Sequence, residues 1–234
     1  MIAIISDIHS NLAALKAVIA DAQKKGCKRF ISLGDVVGYY SQPGECIDIL
    51  QALDVVNVLG NHDSYITLNK RCSRSNFVSK IIDFQRNILS DRQMEWLRKS
   101  KVSHEEEGAL FLHGGPNNFT DEYLYSIDES VIPDGFNWLF SGHTHVQSCT
   151  IFGFRGYCNP GSVGQPRDGD PRAAYAILSK SKVFLQRVNY DIDQTADAMK
   201  KSGFEPFSYE NLYKGSQIGG RVDSVEIIKN EKGI

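Results

Sequence analysis

The chain has 234 residues, 41% hydrophobic and 23% charged, enough to bury the core of one sizeable domain rather than two. Its formal charge is -2 and its basic residues are scattered, which gives no footing for general nucleic-acid binding, and no run approaches the roughly 20 apolar residues of a membrane span. The five cysteines (Cys27, Cys46, Cys72, Cys149, Cys158) are odd in number and lack C-x-x-C spacing, which argues against a disulfide framework and against a zinc knuckle.

Met1 to Ile5 reads as a buried strand, entered directly rather than through a basic and apolar leader, so a cytoplasmic protein with reduced, mostly buried thiols is expected. Leu12, Leu15 and Ile19 then recur on one helical face, with Ser10 or Asn11 as N-cap. A second strand is expected at Arg29 to Leu33, a helix opened by Pro43 with Ile47 and Leu50 inward, and a third strand at Val55 to Leu59. This alternation is the signature of strands and helices layered on one another.

From about residue 64 to 101 the pattern becomes helical and more polar, which suggests a helical insertion. Phe77, Ile81, Phe84 and Ile88 mark its stripe, and Ser90 with Gln93 forms a capping box. Short apolar runs separated by Gly, Pro and Asn follow at Ala109 to Leu112, Trp138 to Phe140, Cys149 to Phe152, Ala173 to Leu178 and Val183 to Val188, and read as strands of a second sheet half. A last helix is expected at Ile192 to Lys201, and the tail after Gly215 shows only a strand-like stretch at Val222 to Ile228.

The chemistry-bearing residues cluster at the ends of these strands. Asp7 and His9 follow the first, Asp35 the second, Asn61 and His62 the third, His113 the fourth, and His143 and His145 the fifth; only His104 of the six histidines lies elsewhere. Loops beyond the carboxyl ends of neighbouring strands converge on a crevice, so groups dispersed in sequence can meet there. Carboxylate, imidazole and amide oxygen suit Mn, Fe, Zn, Co or Ni rather than a thiolate site. Two neighbouring cations are the natural reading, with a carboxylate such as Asp35 between them.

D-x-H at Asp7 to His9, G-D-x-x-G at Gly34 to Gly38, G-N-H-D at Gly60 to Asp63, His113 in F-L-H-G-G-P, and G-H-T-H at Gly142 to His145 together resemble the ordered motif set of the calcineurin-like metallophosphoesterase superfamily. The stretch N-P-G-S-V-G-Q-P-R at Asn159 to Arg167 further resembles its bacterial and archaeal small phosphodiesterase branch. The resemblance implies an α/β (α+β) fold, a four-layer α-β-β-α sandwich of two mixed sheets flanked by helices, with residues 1–234 as one domain.

The resemblance also implies roles. Asp7, His9, Asp35 and His145 hold one divalent transition-metal ion, and Asp35, Asn61, His113 and His143 hold a second, manganese being the first choice and iron, zinc, nickel or cobalt the others. A hydroxide held between the metals attacks phosphorus, His62 donates the leaving-group proton, and Asp63 orients His62. Arg167 is a candidate phosphate clamp, although a solvated loop arginine is the plainer reading, and Tyr39 and Tyr40 read as packing residues sooner than stacking ones. Asn11 is structural in this reading, and Thr144 spaces its two histidines.

The expected partner is a small phosphoester, a phosphodiester or a nucleotide. A protein phosphatase or dinucleoside polyphosphate hydrolase is a weaker reading, because the Asp-Arg-Gly extension of that branch is missing where Gly38, Tyr39 and Tyr40 stand, and Asp63 replaces its usual Glu. A non-catalytic scaffold on the same fold is weaker still, since such proteins lose the ligands and the histidine that this chain keeps.

Overall fold

The computed structural model describes residues 1–229. Strand β1 (Ile2–Ile5) is buried on both faces. The side chain of Asn11 then accepts the Ala14 N–H at 3.1 Å and starts helix α1 (Leu12–Lys24), which turns Leu15, Val18 and Ile19 inward. Strand β2 (Arg29–Ser32) follows, and Pro43 opens helix α2 (Pro43–Ala52), where its missing N–H costs nothing. Strand β3 is short (Val56–Asn57), and its line is prolonged by a bridge from Val58 to Lys101.

Three helices come next: α3 (Asn61–Thr67), α4 (Asn76–Ile88) and α5 (Asp91–Arg98), the last opened by the expected Ser90–Gln93 capping box. The inward face of α4 differs from the expected stripe. Val78, Ile81, Ile82 and Gln85 are buried, whereas Ile88 is exposed and Phe77 and Phe84 are half-buried against Phe204 and Phe207. Aromatic residues from the C-terminal part thus cover the face that periodicity assigned to the core.

The remaining strands are β4 (His104–Glu106), β5 (Ala109–Phe111), β6 (Ser126–Ile127), β7 (Trp138–Phe140), β8 (Ser148–Phe152), β9 (Arg155–Asn159), β10 (Ala173–Ser179) and β11 (Lys182–Val188). Helix α6 (Ile192–Lys201) and a two-residue strand β12 (Glu226–Ile227) complete the described elements. Strands β4 and β9 carry no apolar run that marks them in the sequence; they are recruited by pairing with β5 on one side and with β7 and β8 on the other.

Two mixed five-stranded sheets result, in the orders β11-β10-β1-β2-β3 and β4-β5-β7-β9-β8. Ile2, Ile4, Ile31 and Leu33 of the first meet Phe111, Phe140 and Cys158 of the second in a buried layer between them. Helices α1 and α2 cover the outer face of the first sheet through Ala3 and Ile5, while the segment from Phe119 to Phe136 covers Leu110, Leu139 and Tyr157 of the second. All five cysteines are free thiols, and no helix among the described residues is long and apolar enough to cross a membrane.

Strands β1, β2 and β3 are mutually parallel, as are β5, β7 and β9, and their carboxyl ends supply the loops of the candidate site.

Candidate metal centre

The loops after the parallel strands hold an unusual backbone. Asp7, His9, Asp35, His143 and His145 all have φ between 50° and 66°, the left-handed region that residues with a side chain enter at a cost of roughly 1–2 kcal/mol. Backbone bonds between loops hold these turns: Asp7 N–H donates to Gly34 O at 3.0 Å, His9 N–H to Asp35 O at 2.9 Å and Gly142 N–H to His113 O at 2.8 Å. Gly60 is required for contact, since a Cβ there would lie 2.1 Å from Asp35 Oδ1.

The side chains converge. Within each of three buried groups, Asp7/His9/His145, His9/Asp35/His62 and Asp35/His113/His143, the candidate ligand atoms lie within 4.8 Å of one another. One oxygen of each carboxylate is held by the protein and the other is turned inward. Asp35 Oδ1 accepts the His62 N–H at 2.8 Å, while its Oδ2 lies 3.7 Å from His9 Nε2 and 3.4 Å from His113 Nε2. Asp7 Oδ2 accepts from Ser6 Oγ and the His143 N–H, leaving a buried Oδ1 with no hydrogen-bond partner, 3.2 Å from His145 Nε2.

The imidazole tautomers follow from their outer contacts. A carbonyl can only accept, so His9 Nδ1 donates to Val37 O at 2.8 Å, His113 Nδ1 to Leu33 O at 2.8 Å and His145 Nδ1 to Gln165 O at 2.6 Å. In its neutral form each therefore aims a bare Nε2 lone pair inward, and those of His9 and His145 are 3.2 Å apart. Lone pairs this close repel unless a cation lies between them. Asn61 adds its Oδ1, 3.2 Å from His113 Nε2. This orphaned set of oxygen and nitrogen donors fits divalent cations.

The electrostatics agree. Burial acts to raise Asp7 and Asp35, yet the neighbouring imidazoles outweigh it and hold both carboxyls well below their ordinary values. Burial keeps His9 and His143 far below the usual imidazole range. At His113 burial is outweighed by Asp35 and Asp7, and the group is pushed up to about 9. The carboxylates thus recruit a proton at the place where the donors would hold a cation.

His62 projects beside this cluster with Nε2 4.0 Å from Asp35 Oδ2. Gly38, at φ 95°, makes room for it: a Cβ there would lie 2.1 Å from His62 Nδ1. Burial lowers His62 to about 4, so its imidazole is neutral in this arrangement. No hydrogen bond joins Asp63 to it. Its carboxylate accepts the backbone N–H groups of Val36, Val37 and Gly60, fixing the loop after β2, and burial together with the Asp35 charge pushes it up to about 7.

Arg167 is no solvated loop arginine: it is 5% exposed, hydrogen-bonded to Gln165 Oε1 and the Tyr39 hydroxyl, and lies 5.5 Å from the Tyr39 ring centre. Tyr40 is fully buried and accepts from Gln165 Nε2, whereas the Tyr39 ring packs on His9 and His62 at 4.6 and 4.9 Å. Thr144 does more than space its neighbours, since it accepts from Asn159 Nδ2 at 2.9 Å.

Three further residues were not singled out by sequence reasoning. Gln165 links His145, Tyr40 and Arg167. Gln85 of α4, fully buried, accepts the Gly38 N–H at 2.7 Å and donates to Ser10 Oγ and Tyr40 O. Asp121 faces the outer nitrogen of His143 and is ion-paired with Arg74. A polar residue in a loop or on a helix carries no signal of such partners; the buried Gln85 on an apolar face is the one hint.

Comparison with known proteins places this geometry. A model of the calcineurin-like phosphoesterase superfamily domain matches residues 1–182. MJ0912, an uncharacterised protein of Methanocaldococcus jannaschii, is 32% identical over 241 residues, covering 92% of this chain and 98% of that one. The phosphodiesterase YfcE of Escherichia coli K12 is 26% identical over 194 residues, 79% of this chain and 90% of that one. Among solved structures, a metallophosphoesterase from Sphaerobacter thermophilus aligns with a TM-score of 0.80 at 31% identity, over 92% of this chain and 99% of the other. PH1004 from Pyrococcus horikoshii OT3 reaches 0.84 at 20% identity, over 93% and 100%, a likeness of fold.

Proposed function

We propose that this chain, which belongs to the calcineurin-like phosphoesterase superfamily and is a metal-dependent phosphoester hydrolase, acts as a phosphodiesterase on a small phosphodiester or nucleotide through a pair of divalent transition-metal ions, manganese first. The observation that carries the reading is Asp35, whose inward Oδ2 stands between the imidazoles of His9 and His113. When bound, such ions supply positive charge to the phosphoryl oxygens and make water more acidic.

In this reading Asp7, His9, Asp35 and His145 hold one ion, and Asp35, Asn61, His113 and His143 the other. His62, whose Nε2 lies beside Asp35, gives a proton to the departing oxygen. The negative charge of the bound ester raises its proton affinity from the depressed value of the buried imidazole. Asp63 acts one step back by fixing the loop that carries Val36 and Val37. Arg167, buried and without a carboxylate within ion-pair distance among the described residues, binds a non-bridging phosphoryl oxygen.

Residues 1–234 act as one metallophosphoesterase domain with α3 to α5 as its helical insertion, and the free thiols suit a cytoplasmic setting. The name of the Escherichia coli relative supports diester over monoester substrates. Turnover of bis-p-nitrophenyl phosphate, p-nitrophenyl phosphate and a phosphopeptide, each with added Mn, Fe, Zn, Ni or Co, tests the reading. The diester is expected to be hydrolysed fastest; a clear preference for the phosphopeptide would move the assignment to a protein phosphatase.

A further inference from the structure

A cleft of about 500 Å3 opens beside the metal centre, large enough for a nucleotide-sized ligand. It meets both halves of the ligand set. Tyr39 lines it and packs on His9, and Tyr123 lines it with its ring stacked 3.7 Å from that of His143. Away from the centre, Tyr125 continues the stack, its ring 5.6 Å from that of Tyr123 and within 3° of parallel.

Charge adds a second feature. The lining contains three arginines, Arg74, Arg167 and Arg221, and no carboxylate, although the chain as a whole carries a net charge of -2. Arg74 already binds Asp121, and Arg221 gives its Nε–H to Asp223 at 2.8 Å. The two terminal amino groups of Arg221 have no partner among the described residues, and that side chain is 68% exposed. Arg221 lies beyond residue 182, outside the stretch that matches the superfamily domain. Gln217, Ile218 and Arg221 of the C-terminal part thus complete a cleft whose other lining residues lie within that stretch.

We propose that the cleft seats one ester arm of the substrate, and that this arm is an aromatic ring, such as a nucleobase, bearing a second negative charge that Arg221 binds. The inference rests on the phosphodiesterase reading and adds the substrate class. The stacked tyrosines offer a π-face to any base, which accounts for the ring, and a guanidinium with free donors accounts for the second anion. A simple alkyl phosphodiester reaches the metal centre and leaves both features unused.

Three p-nitrophenyl phosphodiesters with the same leaving group test this, their other arm being methyl, 5′-thymidyl, or 5′-thymidyl with a 3′-phosphate. For the metal-loaded protein kcat/KM is expected to rise along the series, by roughly tenfold or more from first to last. Tyr125→Ala should shrink the advantage of both thymidyl esters over the methyl ester. Arg221→Ala, at an exposed position compatible with folding, should remove the increment due to the 3′-phosphate. Equal turnover of the three esters, or variants that slow all of them by one factor, would overturn the proposal. Failure to hydrolyse even the methyl ester with any of the five metals counts instead against the phosphodiesterase reading. Calorimetric titration with thymidine 3′,5′-bisphosphate then judges the cleft alone: binding weakened by Arg221→Ala supports it, and absent or unaltered binding overturns it.

Discussion

His143 Nε2 lies 3.5 Å from Asp121 Oδ1, and both atoms are buried with no hydrogen-bond partner. Of the four histidines assigned to the metals, three have their outer nitrogen tied to a backbone carbonyl; His143 faces a carboxylate instead. An outer partner of this kind fixes a ligand's ring and raises its basicity, and losing it typically costs about 10–100-fold in metal affinity. Asp121→Ala should therefore weaken one of two binding events in a manganese titration by that order, with Asp121→Asn recovering part because its amide oxygen still accepts an N–H. Unaltered affinity in the alanine variant would show that the contact is incidental.

The assignment of His62 separates proton donation from metal binding. His62→Gln should retain metal while losing about 10²–10⁴-fold in kcat for an ester with an alkoxide leaving group, and much less for p-nitrophenolate, which leaves without a proton. Gly38→Ala should behave likewise, because the added Cβ displaces the His62 ring. Metal loss in His62→Gln, measured by elemental analysis, would make His62 a ligand instead.

Gln85 ties the helical segment to the catalytic loops. Gln85→Leu keeps the volume but leaves the buried Gly38 N–H without its acceptor, a loss on the order of 1–3 kcal/mol. Urea denaturation of the metal-free protein should show a lowered midpoint. A midpoint equal to that of the wild type would mean that the loop finds another partner.

Away from the site, Asp21 gives a pH-dependent contribution. Burial acts to raise its carboxyl, but hydrogen bonds from Lys25 Nζ and the Tyr175 hydroxyl outweigh that and lower it below its ordinary 3.8. A carboxyl with a depressed folded-state value stabilises the fold above the unfolded value, and the gain disappears as pH falls from 3.8 through the folded value. The stability gap between wild type and Asp21→Asn should be present at neutral pH and close in acid. A gap constant with pH would assign the effect to packing.

The residues of the candidate site were legible because the chemistry lies in residue types that seldom gather by chance, each just after an apolar run. The supporting set was not. Asp121, Gln165 and Gln85 take their meaning from partners 20 or more positions away, and no local pattern encodes that. The fold shows the same division. Strands β1 and β7 and helix α6 are read from their own apolar or helical pattern, while β4 and β9, His-Glu-Glu and Arg-Gly-Tyr-Cys-Asn, are strands only because neighbours offer them a ladder. The displaced stripe of α4 has the same origin, since Phe204 and Phe207 decide from a distance which face is covered.

Anomalous diffraction from crystals grown with manganese tests the central claim most directly. The account predicts two peaks per chain, about 4 Å apart, with Asp35 Oδ2 touching both and His62 touching neither. A single peak, or two peaks of which Asp35 meets only one, would contradict it.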